Sequence, residues 1–447
     1  MTGKIRNTLL TLAVVLAAVL MVLVALALNL KPDGDPNLDT PSTEASTEGS
    51  VPSQPPTEPP IVKESTVTIS ATGDMLMHLP IIDSCKQADG SYNFDKLFPA
   101  LSPYVQKADW AIANLETTFC GLGNGFPYKG YPNFNCPDAF ASNLKNAGFD
   151  MMLTANNHSY DTNVFGMRRT LQILENAGLE YMGTGALSDF PKYTVKELNG
   201  IKVGMMCYTY CIKTTADGSI HLNNSEVPIS KEATGLINYF DYSRLDEFYT
   251  QIEANLEGMK AQGVEATVMF IHWGEEYQTT HNADQTMIAQ ELCDLGIDVI
   301  IGGHPHVIQP VELFTSTTDP NHKTVCLYSM GNTVSNQFQG NLSSITTAHT
   351  EDGMLFSVTF AKYSDGTVIL ENVELLPTWH TRQYKILPLD KSLESWQEAY
   401  GVDNATLTKM NASYDRTMAI VGEGMTQVQT YLTQHVADTE AKLNVQN

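Results

Sequence analysis

The chain has 447 residues, with 26 Lys and Arg against 50 Asp and Glu, and its formal net charge is −24. Hydrophobic residues make up 43% of the chain, which allows a sizeable core and excludes a wholly disordered protein. The acidic balance lacks the clustered Lys and Arg that nucleic-acid binding requires, so no nucleic-acid partner is expected.

The first predicted element is an apolar run over residues 9–30, which follows Lys4 and Arg6. About 22 residues at about 1.5 Å per residue reach about 33 Å, enough for one transmembrane helix. We predict a signal anchor over residues 1–30, and a cleaved signal with its site at residues 25–27 is the open alternative. Because positive charges stay on the cytoplasmic side, we expect a single-pass cell-membrane protein whose main domain is extracytoplasmic.

Residues 31–64 form the next predicted segment, which is rich in Pro, Ser, Thr and Glu. The stretch over 51–60, for example, reads VPSQPPTEPP. Few side chains here can contribute to a core, so we predict a disordered linker that gives the main domain reach from the membrane.

The seven Cys residues show no CxxC spacing and are too few for a disulfide-rich scaffold. Outside the cytoplasm cysteines can form disulfides. Cys120 and Cys136 flank a loop rich in Gly and Pro and are the best candidates for a pair, with buried free thiols as the alternative.

Strands and helices alternate from residue 65 to about residue 390, which we predict to be one domain. Helices are predicted over 94–107, 138–147, 164–177, 243–262 and 285–295. Strands that precede or follow them are predicted over 67–71, 110–113, 149–154, 266–271 and 298–301. This alternation predicts a layered α/β sandwich with a buried sheet.

Two further patterns complete the predicted fold. Asn199-Gly200 joins two apolar runs and predicts a hairpin, and strands over 324–328, 354–361 and 367–374 predict an antiparallel sheet. Residues 391–447 are predicted to be a helical C-terminal extension, to which the sequence assigns no role.

Polar residues of metal-binding types follow five of the predicted strands. They are Asp74, Glu116, Asn157 with His158, His272, and His304 with His306. Because ligands in α/β proteins bind outside the carboxyl ends of strands, we expect these side chains to meet. Each alone has a structural explanation, such as a helix cap or a turn. Their combination predicts a metal site.

The ligand types indicate the chemistry of this site. Carboxylate and amide oxygens with imidazoles suit Mn²⁺, Fe or Zn²⁺, and suit Ca²⁺ poorly. Glu116 could bridge two ions, and two ions about 3.5–4 Å apart can clamp a phosphate ester. His158 is the candidate catalytic acid that protonates a leaving alkoxide, and Asp161, three residues on, is expected to orient it.

These motifs resemble the CapA family, which is associated with capsule and poly-γ-glutamate synthesis and whose domain is similar to calcineurin-like metallophosphatases. The resemblance covers about residues 66–390. The matching segments are ATGDMLMH (71–78), NLETTF (114–119), TANNHSYD (154–161), FIHWGEEY (270–277), IIGGHPHVIQPVE (300–312) and LYSMGNTVSNQ (327–337).

The resemblance implies a fold, a location and a set of site residues. The fold is a four-layered α/β/β/α sandwich preceded by one transmembrane helix, and family members are typically anchored outside the membrane. His158 is implied as the acid. The implied metal positions are Asp74, Glu116, Asn157, His272, His304 and His306.

Two positions depart from the metallophosphatase pattern. Leu76 stands where those enzymes carry the His of an Asp-x-His motif, and Glu116 stands where they carry Asp. His78, four residues after Asp74, is an alternative ligand. Whether the site holds one divalent transition metal ion or two is therefore left open.

Two functions from different classes fit this sequence. The first is a metal-dependent hydrolase or transferase that acts on a phosphoester or an envelope polymer, including hydrolysis of the polymer's own amide bonds. The second is a non-catalytic accessory protein that binds or exports an anionic polymer such as poly-γ-glutamate. The expected partners are the membrane, through the N-terminal helix, that polymer, and a membrane synthesis complex.

Overall fold

A computed structural model describes residues 60–123, 125–223 and 228–445. The predicted signal anchor at 1–30 lies outside these residues, as does nearly all of the predicted linker. None of the helices in the described ranges combines the length and the apolar composition needed to span a lipid bilayer.

Two large sheets form the centre of the fold. In chain order the strands are β1 (Lys63–Met75), β2 (Trp110–Asn114), β3 (Met151–Leu153), β4 (Glu180–Met182), β5 (Thr194–Leu198), β6 (Ile201–Cys211), β7 (Lys213–Thr214), β8 (Ile220–His221), β9 (Tyr239–Asp241), β10 (Ala266–His272), β11 (Val299–Gly303), β12 (Val311–Thr315), β13 (Lys323–Leu327), β14 (Asn332–Val334), β15 (Asp352–Tyr363), β16 (Val368–His380) and β17 (Ile386–Pro388). The first sheet has the order β17-β16-β15-β1-β2-β3-β4, with β14 paired to β1. The second has the order β12-β13-β11-β10-β6-β5, with β9 paired to β6.

The helices lie between and after these strands. They are α1 (Leu79–Ser84), α2 (Ser102–Val105), α3 (Ala139–Ala147), α4 (Asn163–Asn176), α5 (Lys231–Thr234), α6 (Leu245–Ala261), α7 (Ala283–Asp294), α8 (Trp396–Tyr400) and α9 (Asn404–Leu443). The predicted helix ending before Gly148 is confirmed, because this glycine caps α3 in the left-handed conformation.

One predicted helix, over 94–107, is wrong as a continuous element. The chain forms a short 3-10 turn at Asp95–Leu97 and then only the four residues of α2. Pro99 and Pro103 explain the break, because a proline inside a helix removes a hydrogen bond and clashes with the preceding turn. Pro103 is tolerated where it stands, in the first turn of α2.

Alternate residues of the central strands face different apolar cores. In β10, Val268 and Phe270 belong to the core between the two sheets, and Met269 and Ile271 belong to a core shared with α6 and α7. Ile112 of β2 reaches the core between the sheets from the other side. A third core lies between the first sheet and α3. The mixed α/β fold with several sheets and helices confirms the predicted α/β class.

The long C-terminal helix α9 is part of the core between the sheets. Its buried residues Val421, Met425, Val428 and Leu432 belong to that core together with strand residues of both sheets. The last helix therefore has a structural role that the sequence alone did not reveal.

An ion pair between the half-buried Arg416 and the buried Asp352 fastens α9 to β15, and its removal is expected to destabilise the fold. Arg416 donates from Nε and Nη2 to the carboxylate of Asp352, at 2.8 and 2.6 Å, and Ser413 adds a third hydrogen bond. We expect Arg416→Met to lower the free energy of unfolding by about 3 kcal/mol, because the buried Asp352 loses its counter-charge. Urea unfolding measures this.

The matched control for this variant is Arg244→Met. Arg244 forms an exposed ion pair with Glu247, so its loss should cost less than about 1 kcal/mol. Equal effects of the two substitutions would contradict the role of the pair between Arg416 and Asp352.

The seven Cys residues all lie in the described part of the chain, and each is a buried free thiol. The predicted pairing of Cys120 with Cys136 is therefore absent from this structure, and the alternative of buried thiols holds. Burial raises the pKa of Cys136 well above its usual value, which keeps this thiol protonated and unreactive.

Candidate metal centre

The site lies where the carboxyl ends of parallel strands from both sheets meet. β1, β2 and β3 are parallel neighbours in the first sheet, and β10 and β11 are parallel neighbours in the second. The six residues predicted to bind metal all lie at or after these strand ends and are buried: Asp74, Glu116, Asn157, His272, His304 and His306.

Five of these six side chains form two overlapping groups of potential ligands. Glu116, His272 and His304 form one group, and Asp74, Glu116 and His306 form the other. Within each group the ligand atoms lie within 4.8 Å of one another. Glu116 is common to both groups, which is the placement a carboxylate needs in order to bridge two cations.

The group around Asp74 is held by hydrogen bonds from three directions. His306 Nδ1 lies 3.1 Å from Asp74 Oδ2, and the backbone N–H of His304 donates to the same oxygen at 3.2 Å. Asn114 donates from Nδ2 to Asp74 Oδ1 at 2.7 Å. The sequence reasoning missed Asn114, although it is the last residue of β2 and stands two residues before Glu116.

The group around His272 takes in the predicted amide ligand. His272 Nε2 lies 2.9 Å from Asn157 Oδ1 and 3.5 Å from Glu116 Oε1. Tyr210 was also missed by the sequence reasoning, and its ring centroid lies 4.8 Å from that of His304. A tyrosine near the end of an apolar strand gives no signal of its own.

Two buried polar atoms indicate that this donor set fits a cation. Glu116 Oε1 and His304 Nδ1 have no hydrogen-bond partner among the described residues. Such atoms are rare in folded proteins, because an unpaired buried polar group costs about 1–3 kcal/mol. Burial, with the nearby His272 and His306, holds the pKa of His304 well below its usual value. The ring is therefore in the neutral form that binds metals.

The backbone that follows β11, at Gly303, His304 and His306, is constrained. His304 and His306 have φ values of 97° and 58°, in the left-handed region that non-glycine residues seldom occupy. A Cβ atom on Gly303 would lie 2.9 Å from Asp74 Oδ1. Glycine is therefore needed at this position for β11 to approach Asp74, and the strained histidines are a mark of a functional site.

The two residues predicted to be catalytic lie together, outside both ligand groups. His158 Nδ1 is 2.8 Å from Asp161 Oδ2, and both side chains are buried. The backbone N–H of Phe134 also donates to Asp161 at 2.6 Å. Burial disfavours a charged His158, but Asp161 outweighs burial and raises the pKa of the imidazole.

The alternative ligand His78 belongs to neither group. Its Nδ1 accepts a hydrogen bond from the backbone N–H of Asn336 at 3.2 Å, and burial lowers its pKa to about 4. Leu76 is buried and offers no ligand atom. The group around Asp74 thus has one imidazole and two carboxylates.

The pKa of His306 predicts how metal affinity depends on pH. Burial disfavours its charged form, but Glu116 and Asp74 outweigh burial and raise the pKa to about 9. Below that pH the metal-free protein carries a proton that a bound cation must displace. We therefore expect the affinity for Mn²⁺ to rise about tenfold per pH unit between about pH 6 and pH 8.

Calorimetric titration with Mn²⁺ in buffers of different ionisation enthalpy measures both this affinity and the proton released. The slope of the logarithm of Mn²⁺ affinity against pH should flatten in His306→Ala. His281→Ala, a substitution outside the site, should leave that slope unchanged. An affinity that does not change with pH would contradict the protonated state of His306.

Comparisons with known proteins place the chain among bacterial capsule proteins. The family described as "Bacterial capsule synthesis protein PGA_cap" matches residues 68–337. "Capsule biosynthesis protein CapA" of Bacillus anthracis is 26% identical over 69% of this chain and 67% of its own length. "PGA biosynthesis protein CapA" of Bacillus subtilis (strain 168) is 25% identical over 61% of this chain and 64% of its own length.

The matched segment therefore spans about two thirds of these relatives. Among solved structures, a Thermus thermophilus protein named TT1561 aligns with a TM-score of 0.30 and 10% identity, over 65% of this chain and 94% of that one. That similarity is too low to indicate a shared fold.

Proposed function

The chain belongs to the CapA family of bacterial capsule synthesis proteins, and from that premise we propose that it is a metal-dependent hydrolase or transferase acting on a phosphoester of the cell envelope. The observation that carries this proposal is the pair of buried ligand groups that share Glu116, next to a paired His158 and Asp161. Buried titratable groups arranged in this way are typical of catalytic sites.

We also infer the four-layered α/β/β/α architecture that the family resemblance implies. One apolar core between the two sheets and one core on the outer face of each sheet support it. In such a sandwich the carboxyl ends of both central sheets meet at one edge, where the candidate site lies.

One set of the chain's residues would bind cations, and another would transfer the proton. Six residues would hold divalent cations of the Mn, Fe or Zn type: Asp74, His306, His272, His304, Asn157 and the shared Glu116. When bound, such cations supply Lewis-acid chemistry and compensate the negative charge of a phosphoester.

Proton transfer falls to His158. Its raised pKa favours the protonated ring, and Asp161 holds the ring through Nδ1, so Nε2 is left to donate. The donated proton neutralises the oxygen that leaves phosphorus. Phe134, edge-to-face against His158 with ring centroids 4.7 Å apart, limits the ring's freedom to turn.

The apolar N-terminal run and the names of the relatives support a proposal for the location and the partners. We propose a single-pass cell-membrane protein with its main domain outside the cytoplasm. There it would act in capsule or poly-γ-glutamate biosynthesis, within a membrane complex that handles an anionic envelope polymer.

A second function is favoured by one specific observation. Leu76 leaves the group around Asp74 without the second imidazole of metallophosphatases, and this weakens one cation position. On this alternative the protein is a non-catalytic accessory factor that binds or exports an anionic polymer. Bound cations would then supply the local positive charge that a chain with a net charge of −24 lacks.

Elemental analysis and a turnover assay on the full chain separate the two functions. We expect one or two transition-metal ions per chain and hydrolysis of bis(p-nitrophenyl) phosphate that chelation abolishes. Metal binding without turnover, together with retention of poly-γ-glutamate, would favour the accessory role. A chain that stays metal-free in saturating Mn²⁺ and Zn²⁺ would contradict the metal site itself.

A further inference from the structure

A cavity of about 370 Å³ adjoins the candidate site on the side of His158. Asn157 and Asp161 belong to the site and also line this cavity. Asn223 is another lining residue, and its Nδ2 lies 3.1 Å from His158 Nδ1. Its Oδ1 accepts a hydrogen bond from Asn157 at 3.2 Å. The cavity is therefore lined by residues that contact His158 at Nδ1, and it is large enough for a small organic group.

The cavity wall offers neutral hydrogen-bonding groups. Four further lining side chains form no side-chain hydrogen bond to any described residue, so their polar ends are available to a ligand: Tyr131, Asn133, Tyr160 and Asn163. Amides and phenols both donate and accept, which matches the pattern that hydroxyl groups present.

The charge of the cavity argues against an anionic occupant. Within the described residues no Lys, Arg or His lines it, and its one carboxylate belongs to Asp161. That carboxylate is already engaged by His158 and by the backbone of Phe134. A carboxylate side chain of a polyglutamate would find no counter-charge here and would face Asp161, so burying it would be costly.

Aromatic faces give the cavity a second kind of contact. Tyr131 is 72% exposed at the rim, and Tyr160 lies partly buried in the wall. A sugar ring presents C–H groups on its faces and hydroxyls at its edge, so it can pack on a phenol ring while amides bond its hydroxyls. A simple alkyl group would leave the amides unpaired.

We propose that this cavity binds a neutral, hydroxyl-rich glycosyl group, and that this group is the alcohol released from the phosphoester. The proposal rests on the proposed function. In hydrolysis the P–O bond to the sugar oxygen breaks and a P–O bond to the oxygen of water forms. His158 gives its proton to the sugar oxygen, and the proton lost by water returns to the histidine through solvent.

The test compares methyl phosphodiesters of matched primary alcohols, with release of the alcohol measured by chromatography. One set carries the 6-hydroxyl of methyl glucoside, methyl galactoside or N-acetylglucosamine. The others carry cyclohexylmethanol or 5-hydroxypentanoate. We expect at least one sugar diester to exceed both others about tenfold or more in kcat/KM.

Two variants of the full chain tie that preference to the cavity. Tyr131→Ala and Asn133→Ala alter exposed side chains and should reduce the preference to about threefold or less. They should leave the metal content unchanged, and the preference should fall because the turnover of the sugar diester falls more than that of the cyclohexylmethyl diester. Leu187→Ala, at another exposed site, should change nothing. A preference for the carboxylate diester would overturn the proposal. A preference for a sugar diester that neither Tyr131→Ala nor Asn133→Ala reduces would also overturn it.

A binding measurement separates this proposal from the proposed function. Saturation-transfer NMR should detect at least one of the three sugars on the chain, with the signal lost in Tyr131→Ala. That signal in a protein without turnover would support the cavity and contradict the enzyme. Turnover without sugar binding or sugar preference would support the enzyme and overturn the glycosyl assignment.

Discussion

Replacing Glu116 with Gln is expected to empty both cation positions and to lower phosphodiesterase activity by about 10³-fold or more. Glu116 is fully buried and is the one residue shared by both ligand groups among the described residues. Gln keeps the size of the side chain but removes the negative charge that two cations would share. Elemental analysis and kcat/KM on the same preparation measure both effects.

The control for this variant is Glu351→Gln, which neutralises another buried glutamate. Glu351 accepts hydrogen bonds from Gln339 and Trp379. It is distant in sequence from the residues of both ligand groups and belongs to neither group. It should retain its metal and its activity. Glu116→Gln with full metal content and full activity would contradict the shared position of the carboxylate.

A second measurement on Glu116→Gln needs no metal. Glu116 makes the largest of the contributions that raise the pKa of His306, so its neutralisation should bring that pKa down from about 9. NMR titration of the metal-free protein observes this directly, and it distinguishes a local electrostatic change from unfolding.

Replacing His158 with Gln is expected to lower kcat by about 10²–10⁴-fold for an alkyl phosphodiester while the metal content stays unchanged. His158 lies outside both ligand groups and is bonded to Asp161, so its loss removes a proton donor and no ligand. A p-nitrophenyl diester should lose much less, because p-nitrophenolate leaves without protonation. The ratio of the two rates is the measurement.

His78→Gln is the matched control for His158→Gln. Both rings pack edge-to-face on Phe134, with centroid distances of 5.1 and 4.7 Å, and neither residue belongs to a ligand group. A similar loss in both variants would indicate disturbed packing around Phe134. An equal loss for both types of leaving group in His158→Gln would contradict its role as the acid.

Sequence reasoning predicted those parts of the fold that local signals determine. The hairpin at Asn199-Gly200 was confirmed because both residues adopt the left-handed turn conformation that this pair favours. The strand at β2 was confirmed because its apolar residues are buried on both faces. The helix predicted over 94–107 is broken because Pro99 and Pro103 interrupt helical hydrogen bonding, which the apolar pattern alone does not reveal.

The residues of the candidate site also divide into those that local sequence signals predict and those that they do not. The residues at the ends of β1, β10 and β11 could be placed together from the rule that ligands collect at strand ends. Asn114, Tyr210 and Asn223 could not, because their positions depend on how two sheets pack and how a loop returns. No periodicity in the sequence encodes these distances between elements.

The contribution of α9 to the core between the sheets constrains when a newly made chain can reach its native state. Residues up to Leu432 must be free to pack before this core is complete. The nascent polypeptide therefore cannot complete this core until α9 has left the ribosome.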